Sequence, residues 1–396
     1  MPGTATSAAR HAHQQMPHLA YGPAGMPAVA VVEEGMREGL QIENPDISVE
    51  DRIRLLDALS DTGLKRIVVG SFVSPKWTPQ MAMIDKVVEG FTPRPDVIYT
   101  ALALNEKGVE RRAKYIPPLS LDDGLPATNV HLCDVFARRN TNRSREQEIA
   151  SWPGRIEAAV ANGATEAQVG LGAAWGSNWL GGFSHAERMD LLARQVQLWE
   201  AAGIAVTKVS LADPMGWNVP HEVEEDLSEI IRRWPSVRTF HLHLHNTRGV
   251  AAISIYSALR TLDERHTAII DASIGGMAGC PYCGNGRAAT LTPTEDLVHL
   301  LESLGYRTGV DLDRLIDVVV LAEEIVGHPL YGHVSKAGPR PGPDRLYPMD
   351  MPFVETLEQA QHFRVGPSAY QGALSPWKEP IVSPARDAIS PAPQSD

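Results

Sequence analysis

The alternation of short β-branched, apolar runs with longer helical patterns, sustained from residue 28 to residue 336, constrains this chain most. AVAVV (28–32), KRIVVGSF (65–72), DVIYTALAL (96–104), TNVHLCDVF (128–136), EAQVGLGAAW (166–175), AVTKVSLAD (205–213), VRTFHLHLH (237–245) and TAIIDASIGG (267–276) read as strands. SVEDRIRLLDALSDTG, AERMDLLARQVQLWEAAG and HEVEEDLSEIIRRW are among the helical segments between them. Ser48 opens the first of these as S-x-x-D, a capping-box pattern with Asp in place of Glu. Strands that alternate with helices build a parallel sheet, and eight such units close into a (β/α)8 TIM barrel, an α/β fold. An open doubly wound sheet is the competing reading, but no G-x-G-x-x-G follows the first strand.

The barrel domain is expected to span 28–336. Residues 1–27 contain no acidic residue and little periodicity, and read as a flexible N-terminal arm. A transit peptide is also acid-poor, but Arg-rich, and this stretch holds only Arg10. From 337 to 396 prolines crowd in, so this Pro-rich C-terminal extension is expected to be irregular towards its end.

A net charge of −12 argues against a nucleic-acid surface, which needs a basic stripe to neutralise phosphates. No run of about 18 apolar residues marks a membrane span, and no secretory signal pattern is present. Three cysteines, at 133, 280 and 283, suit a reducing compartment. These features point to a cytoplasmic protein.

In a barrel, chemistry gathers where strands end and loops begin. Four such segments carry the polar residues of interest: EEGMREGLQ (33–41), SLADPMGW (210–217), HLHLHNTRG (241–249) and GGMAGCPYCGNG (275–286). His241, His243 and His245 fall at alternate positions, so on a strand their imidazoles share a face. They serve either as cation ligands or as core and hydrogen-bonding histidines. With the Glu38 carboxylate and the Asn285 amide oxygen, His243 and His245 form a donor set for Mg2+ or Mn2+ that leaves room for a bidentate substrate. Zn2+ is the alternative, with Cys280 and Cys283 of C-P-Y-C joining the histidines.

Cys280 is either a small buried hydrophobe or an acid–base group whose thiol pKa a nearby cation lowers. A disulfide to Cys283 would disable that acid, and Cys133, in an apolar run, reads as core. Arg37 beside Glu38 is either a surface pair or a donor to an oxygen that develops negative charge. Asp213 is either a general base or the cap of the turn before Pro214.

REGLQ (37–41), SFVSPKWTPQM (71–81), HLHNTRG (243–249) and GGMAGCPY (275–282), with TEDL (294–297) downstream, resemble in this order the hydroxymethylglutaryl-CoA lyase branch of the DRE-TIM metallolyase family. The likeness covers residues 29–326. It implies a TIM barrel, a divalent cation, a homo-oligomer, and retro-Claisen cleavage of a 3-hydroxy-3-methylglutaryl thioester to acetoacetate and acetyl-CoA. Carried over by motif, His243, His245 and Asn285 match metal ligands, Cys280 the catalytic cysteine, Arg37 the catalytic arginine and Asp213 the aspartate after strand six. Gln41 in REGLQ, with Trp175 and Trp179 after strand five, is expected to line the substrate.

The chain departs from the family pattern at informative places. Glu38 stands where the family carries an aspartate, and Val68 where it carries a glutamate at the end of strand two. I-E-N follows REGLQ where N-E-K is common. The altered residues fit a changed acyl group or a substrate without CoA. Two other readings compete: a condensing synthase that joins an acyl-CoA to a 2-oxo acid, and a barrel that has lost catalysis and serves in binding.

Overall fold

The computed structural model describes residues 18–346, apart from 104–105, 121–123, 285 and 287–289. Its main sheet contains β1 (Ala28–Glu33), β2 (Arg66–Ser71), β3 (Ile98–Leu102), β4 (Ala127–His131), β5 (Glu166–Gly172), β6 (Ala205–Asp213), β7 (Thr239–Leu244) and β8 (Thr267–Ala272). The ladder runs β3-β2-β1-β8-β7-β6-β5-β4, and every neighbouring pair is parallel. The first strand therefore pairs with the last, as barrel curvature demands, and the eight expected strands are the eight observed.

The side chains of each strand divide between the barrel interior and the helical shell. On β4, Val130 belongs to the core cluster that contains Trp152 and Trp199, and Trp199 Nε1 donates to Thr128 Oγ1 at 2.9 Å. The alternate positions of β7 and β8 carry His241, His243 and Asp271 on the opposite side, where they bond to one another. Because both faces of the sheet are covered, a polar side chain on the shell side needs a partner, as Thr128 has in Trp199, while the histidines and Asp271 partner one another inside.

Helix starts follow the caps written in the sequence. Ser48 caps Val49–Ser60 and accepts from Asp51 N at 3.0 Å. Asp51, one methylene shorter than Glu, bonds the Ser48 hydroxyl at 2.9 Å rather than its backbone. Ser184 and Glu187 form a complete box on His185–Ala201. Among the described residues no helix is long and apolar enough to cross a membrane.

Two expectations change. The described end of the arm is docked: Ala20 bridges to Val29 and Tyr21 to Arg307, and Tyr306 Oη donates to Pro27 O at 3.0 Å. Free backbone groups beside β1 explain it, because an unpaired edge of this kind takes a partner. Trp175, expected at the barrel mouth, is instead buried, 2% exposed, in the core cluster under the helices. Its indole Nε1 donates to Asp226 Oδ2 at 2.9 Å, and Asp226 also holds Arg188 Nε at 2.7 Å and His185 Nδ1 at 2.7 Å. A buried indole needs a partner for its N–H, and the Asp226 carboxylate supplies it. Most of the Pro-rich extension, from 347 onward, lies outside the described residues.

Asp226 and Arg188 are 0% and 1% exposed, so removing Asp226 leaves a buried guanidinium with the longer pair to Glu222, at 3.4 Å, as its charge partner. Asp226→Ala is expected to lower unfolding free energy by about 3–5 kcal/mol in urea titrations, whereas Arg345→Ala, at an exposed pair with Asp313, leaves it within about 1 kcal/mol.

Candidate active site

His241 Nε2 and His243 Nδ1 lie 2.8 Å from Asp271 Oδ1 and Oδ2 respectively, so one carboxylate of β8 holds two imidazoles of β7. With Nδ1 of His243 committed to Asp271, its Nε2 faces His245 Nε2 at 3.2 Å. Burial lowers the His243 pKa, but the hydrogen bond and charge of Asp271 and the charge of Glu38 outweigh it, so the net direction is up. Asp271 itself is held far below the usual carboxylate range. Its burial opposes this, and the two histidines override it.

Glu38 arrives from β1. After Glu33 the chain makes a π-helical turn, Gly35–Gly39, in which Glu38 N and Gly39 N both bond Glu34 O, at 2.7 and 3.2 Å. Such wide turns recur at functional sites because they re-aim a side chain. This one buries Glu38 with its Oε1 3.7 Å from His245 Nε2. Glu38, His243 and His245 each offer a donor atom, and those atoms lie within 4.8 Å of one another. Burial alone would raise the Glu38 pKa, but Arg37, His243 and His245 hold it below its usual value. Neither cysteine joins this donor group, so the zinc arrangement through C-P-Y-C is not formed. Asn285 lies outside the described residues.

Arg37 is no surface pair. Its side chain is 17% exposed, with Nε donating to Glu34 Oε2 at 2.8 Å and Nη1 to Glu38 Oε2. Gln41 turns its amide to the loop after β8, donating from Nε2 to Gly279 O at 3.2 Å. That contact depends on Gly279, where a Cβ would sit 1.7 Å from Ile42 Cδ1. Asp213 is fully buried, and Asn218 fixes its Oδ2 through backbone N and Nδ2 at 2.6 Å each. Burial raises its pKa against those hydrogen bonds.

Cys280 and Cys283 are both buried, in a cluster with Met215, Cys133 and Phe136. A hydrogen bond with Cys280, then burial, pushes the Cys283 thiol pKa up. Trp179, 38% exposed, stands beside this loop: the guanidinium of Arg139 lies 5.5 Å over its ring while Arg139 Nε donates to Tyr282 O at 3.1 Å. Of the two tryptophans, only Trp179 is at the mouth.

The sequence reading missed Asp271, Glu34 and the carboxyls behind the loop. Asp271 is a lone charge within the apolar run TAIIDAS, which was the available signal. Glu33 accepts from Gly35 N at 2.6 Å, Ile274 N at 2.9 Å and Thr294 Oγ1 at 2.5 Å. Glu295, in TEDL, accepts from Gly275 N at 3.0 Å. The two acids thus clamp adjacent backbone amides at the start of the loop that carries Cys280.

Residues 28–321 match the HMGL-like family. The chain belongs to that family. It is 32% identical over 291 residues to the mitochondrial hydroxymethylglutaryl-CoA lyase of Gallus gallus, covering 73% of this chain and 90% of that protein. It is also 32% identical over 326 residues to the (R)-citramalyl-CoA lyase of Chloroflexus aurantiacus, covering 79% and 96%. The solved structure of an HMG-CoA lyase from Acinetobacter baumannii, in complex with coenzyme A and 3-methylmalate, superposes with a TM-score of 0.64 at 28% identity, over 80% of this chain and 96% of that one. The chain is a lyase, of a family that depends on divalent metal.

The clamp of this lyase gives its stability a pH dependence. Burial pushes Glu33 up to about 7 and Glu295 up to about 8 from the usual 4.5. The native state then keeps protons that the unfolded chain releases, so stability falls as pH rises from about 4.5 to 8. Urea midpoints measured from pH 5 to pH 8.5 are expected to decline less steeply in Glu295→Gln than in the parent, and an unchanged slope would show that Glu295 does not titrate in this window.

Proposed function

We propose that this lyase cleaves a 3-hydroxyacyl-CoA, or a related hydroxy acid, by a retro-Claisen step that requires Mg2+ or Mn2+ held by Glu38, His243 and His245. The supporting observation is the convergence of one carboxylate and two imidazoles, within 4.8 Å of one another, beside the part-buried guanidinium of Arg37. The set fits a hard divalent cation: it combines oxygen and neutral nitrogen donors and leaves positions open for substrate oxygens. His243 supports the fit, since Asp271 occupies Nδ1 and leaves Nε2 as the donor. Asn285 completes the set in this reading. When bound, the cation polarises the substrate's hydroxyl and carbonyl oxygens.

The chain's own residues supply the rest of the proposed mechanism. Asp213, with its raised pKa, takes the proton of the substrate hydroxyl. Arg37, held by Glu34 and Glu38, donates to the thioester oxygen that becomes an enolate as the carbon–carbon bond breaks. Cys280 returns a proton to the enolate carbon, and the apolar wall of Met215 and Phe136 around it excludes water. Gln41 acts by anchoring the Cys280 loop, and Trp179 lines the entrance.

CoA thioesters appear in the names of both curated relatives, and the ligands of the solved relative are coenzyme A and a hydroxy dicarboxylate. Those names span two acyl groups, which suits the substitutions at positions 38 and 68. A homo-oligomeric assembly and a cytoplasmic location complete the reading, on the family resemblance and the small cysteine count.

A coupled assay for acetyl-CoA release from 3-hydroxy-3-methylglutaryl-CoA, with Mg2+ or Mn2+ returned to chelated protein, tests the proposal. Cleavage is expected to depend on the metal and to fall by about a hundredfold or more in His243→Ala. Cleavage that persists in the chelated protein would refute the metal's role. Cys280→Ala is expected to lower kcat by about a hundredfold, and a parental rate would remove Cys280 as the acid.

A further inference from the structure

Arg37 is gripped from two sides by carboxylates that are not equivalent. Glu38 belongs to the cation-binding group, so the same carboxylate must serve a metal and a guanidinium. Glu34 lies outside that group and accepts Arg37 Nε at 2.8 Å. It is 5% exposed and directly follows β1, where its backbone N–H bonds Ala272 O of β8 at 2.8 Å. Charges on Asp271 and His243 also act on it, so it stands over the histidine strand as well as beside Arg37. A buried carboxylate is retained at such a cost only where it is paired.

The ladder gives this position a second meaning. Glu33 pairs with Ile67, so Glu34 and Val68 are the residues that directly follow that pair, at the end of β1 and on β2. Val68 is the apolar residue that replaces an acid in the motif comparison, and it is 8% exposed. A carboxylate is missing from one strand and an additional one stands on the strand beside it.

We propose that Glu34 is a positioning residue: it keeps Arg37 in place when Glu38 engages the cation, supplying from strand β1 the carboxylate that strand β2 lacks at Val68. The assignment rests on the metallolyase reading above. Without Glu34, Arg37 has Glu38 as its remaining anchor, and the guanidinium then competes with the cation for one carboxylate. Orientation of Arg37 and metal affinity should therefore fail together, and a carboxylate restored from the neighbouring strand should rescue both.

The test uses the full chain, stripped of metal by chelation, with Mn2+ binding followed by calorimetry and turnover measured on the substrate that the parent cleaves. Glu34→Gln is expected to weaken Mn2+ binding and lower kcat by about tenfold or more each, the range typical of residues that orient metal ligands. KM should stay within about threefold, because the lost interaction belongs to the transition state. Adding Val68→Glu to Glu34→Gln should return both quantities to within about threefold of the parent.

Parental Mn2+ affinity and kcat in Glu34→Gln would overturn the proposal, as would a folded double variant that is no better than the single one. If either variant fails to fold by circular dichroism, Glu34→Asp decides: it keeps the charge but shortens the reach. A kcat and an Mn2+ affinity each at least about threefold below the parent are then expected, and parental values of both overturn the assignment. A parent that binds Mn2+ but cleaves no hydroxyacyl-CoA would refute the lyase substrate proposal alone, and the Mn2+ comparison would still decide the role of Glu34.

Discussion

Everything at the barrel mouth depends on the carboxylate of Asp271. It accepts from His241 and His243 at once, and this settles which nitrogen of His243 faces His245. The arrangement requires β7 and β8 to be parallel neighbours in one register, with Ile269 opposite His241 and Ile270 opposite Leu242. A slip of one residue would turn the acid to the helical shell and both imidazoles away from it. Backbone pairing in the barrel thus fixes the protonation chemistry of the site, since a histidine whose Nδ1 is committed presents Nε2 in one direction only.

A second constraint is electrostatic. Glu34, Glu38 and Asp271 are all buried around a single guanidinium, that of Arg37, with His243 as the titrating neighbour. Burial raises the Glu34 pKa and opposes ionisation at all three acids, while the positive charges of Arg37 and the histidines pull the other way. Such concentration of one sign is costly in a folded chain, and a divalent cation held at the proposed site would offset it.

The loop with Cys280 is anchored from outside the barrel as well as from within. Glu33 and Glu295 hold the amides of Ile274 and Gly275, Gln41 holds the carbonyl of Gly279, and Asn178 Nδ2 donates to Cys283 O at 3.1 Å. Contributions therefore come from β1, from the helix Thr294–Ser303 and from the segment after β5. TEDL reads in this light as a support for the loop rather than as part of the chemistry.

The sequence by itself determined the eight strands, the capped helices, and the placing of Arg37, Glu38, His243 and His245 at strand ends, because these follow from local periodicity, capping and motif spacing. It also exposed the departures at positions 38 and 68. Sequence pattern left Trp175 at the mouth, docked no part of the arm, and gave no role to Asp271, Glu34 or Glu33. Those outcomes rest on contacts between residues far apart in the chain: Trp175 with Asp226, Ala20 with Val29, Asp271 with His243, Glu33 with Ile274 and Thr294. Only the closure of the sheet, β1 against β8, decides which polar side chains meet inside the barrel and which buried acid finds a partner, since charge pairing is set by distance in space and not by spacing in sequence.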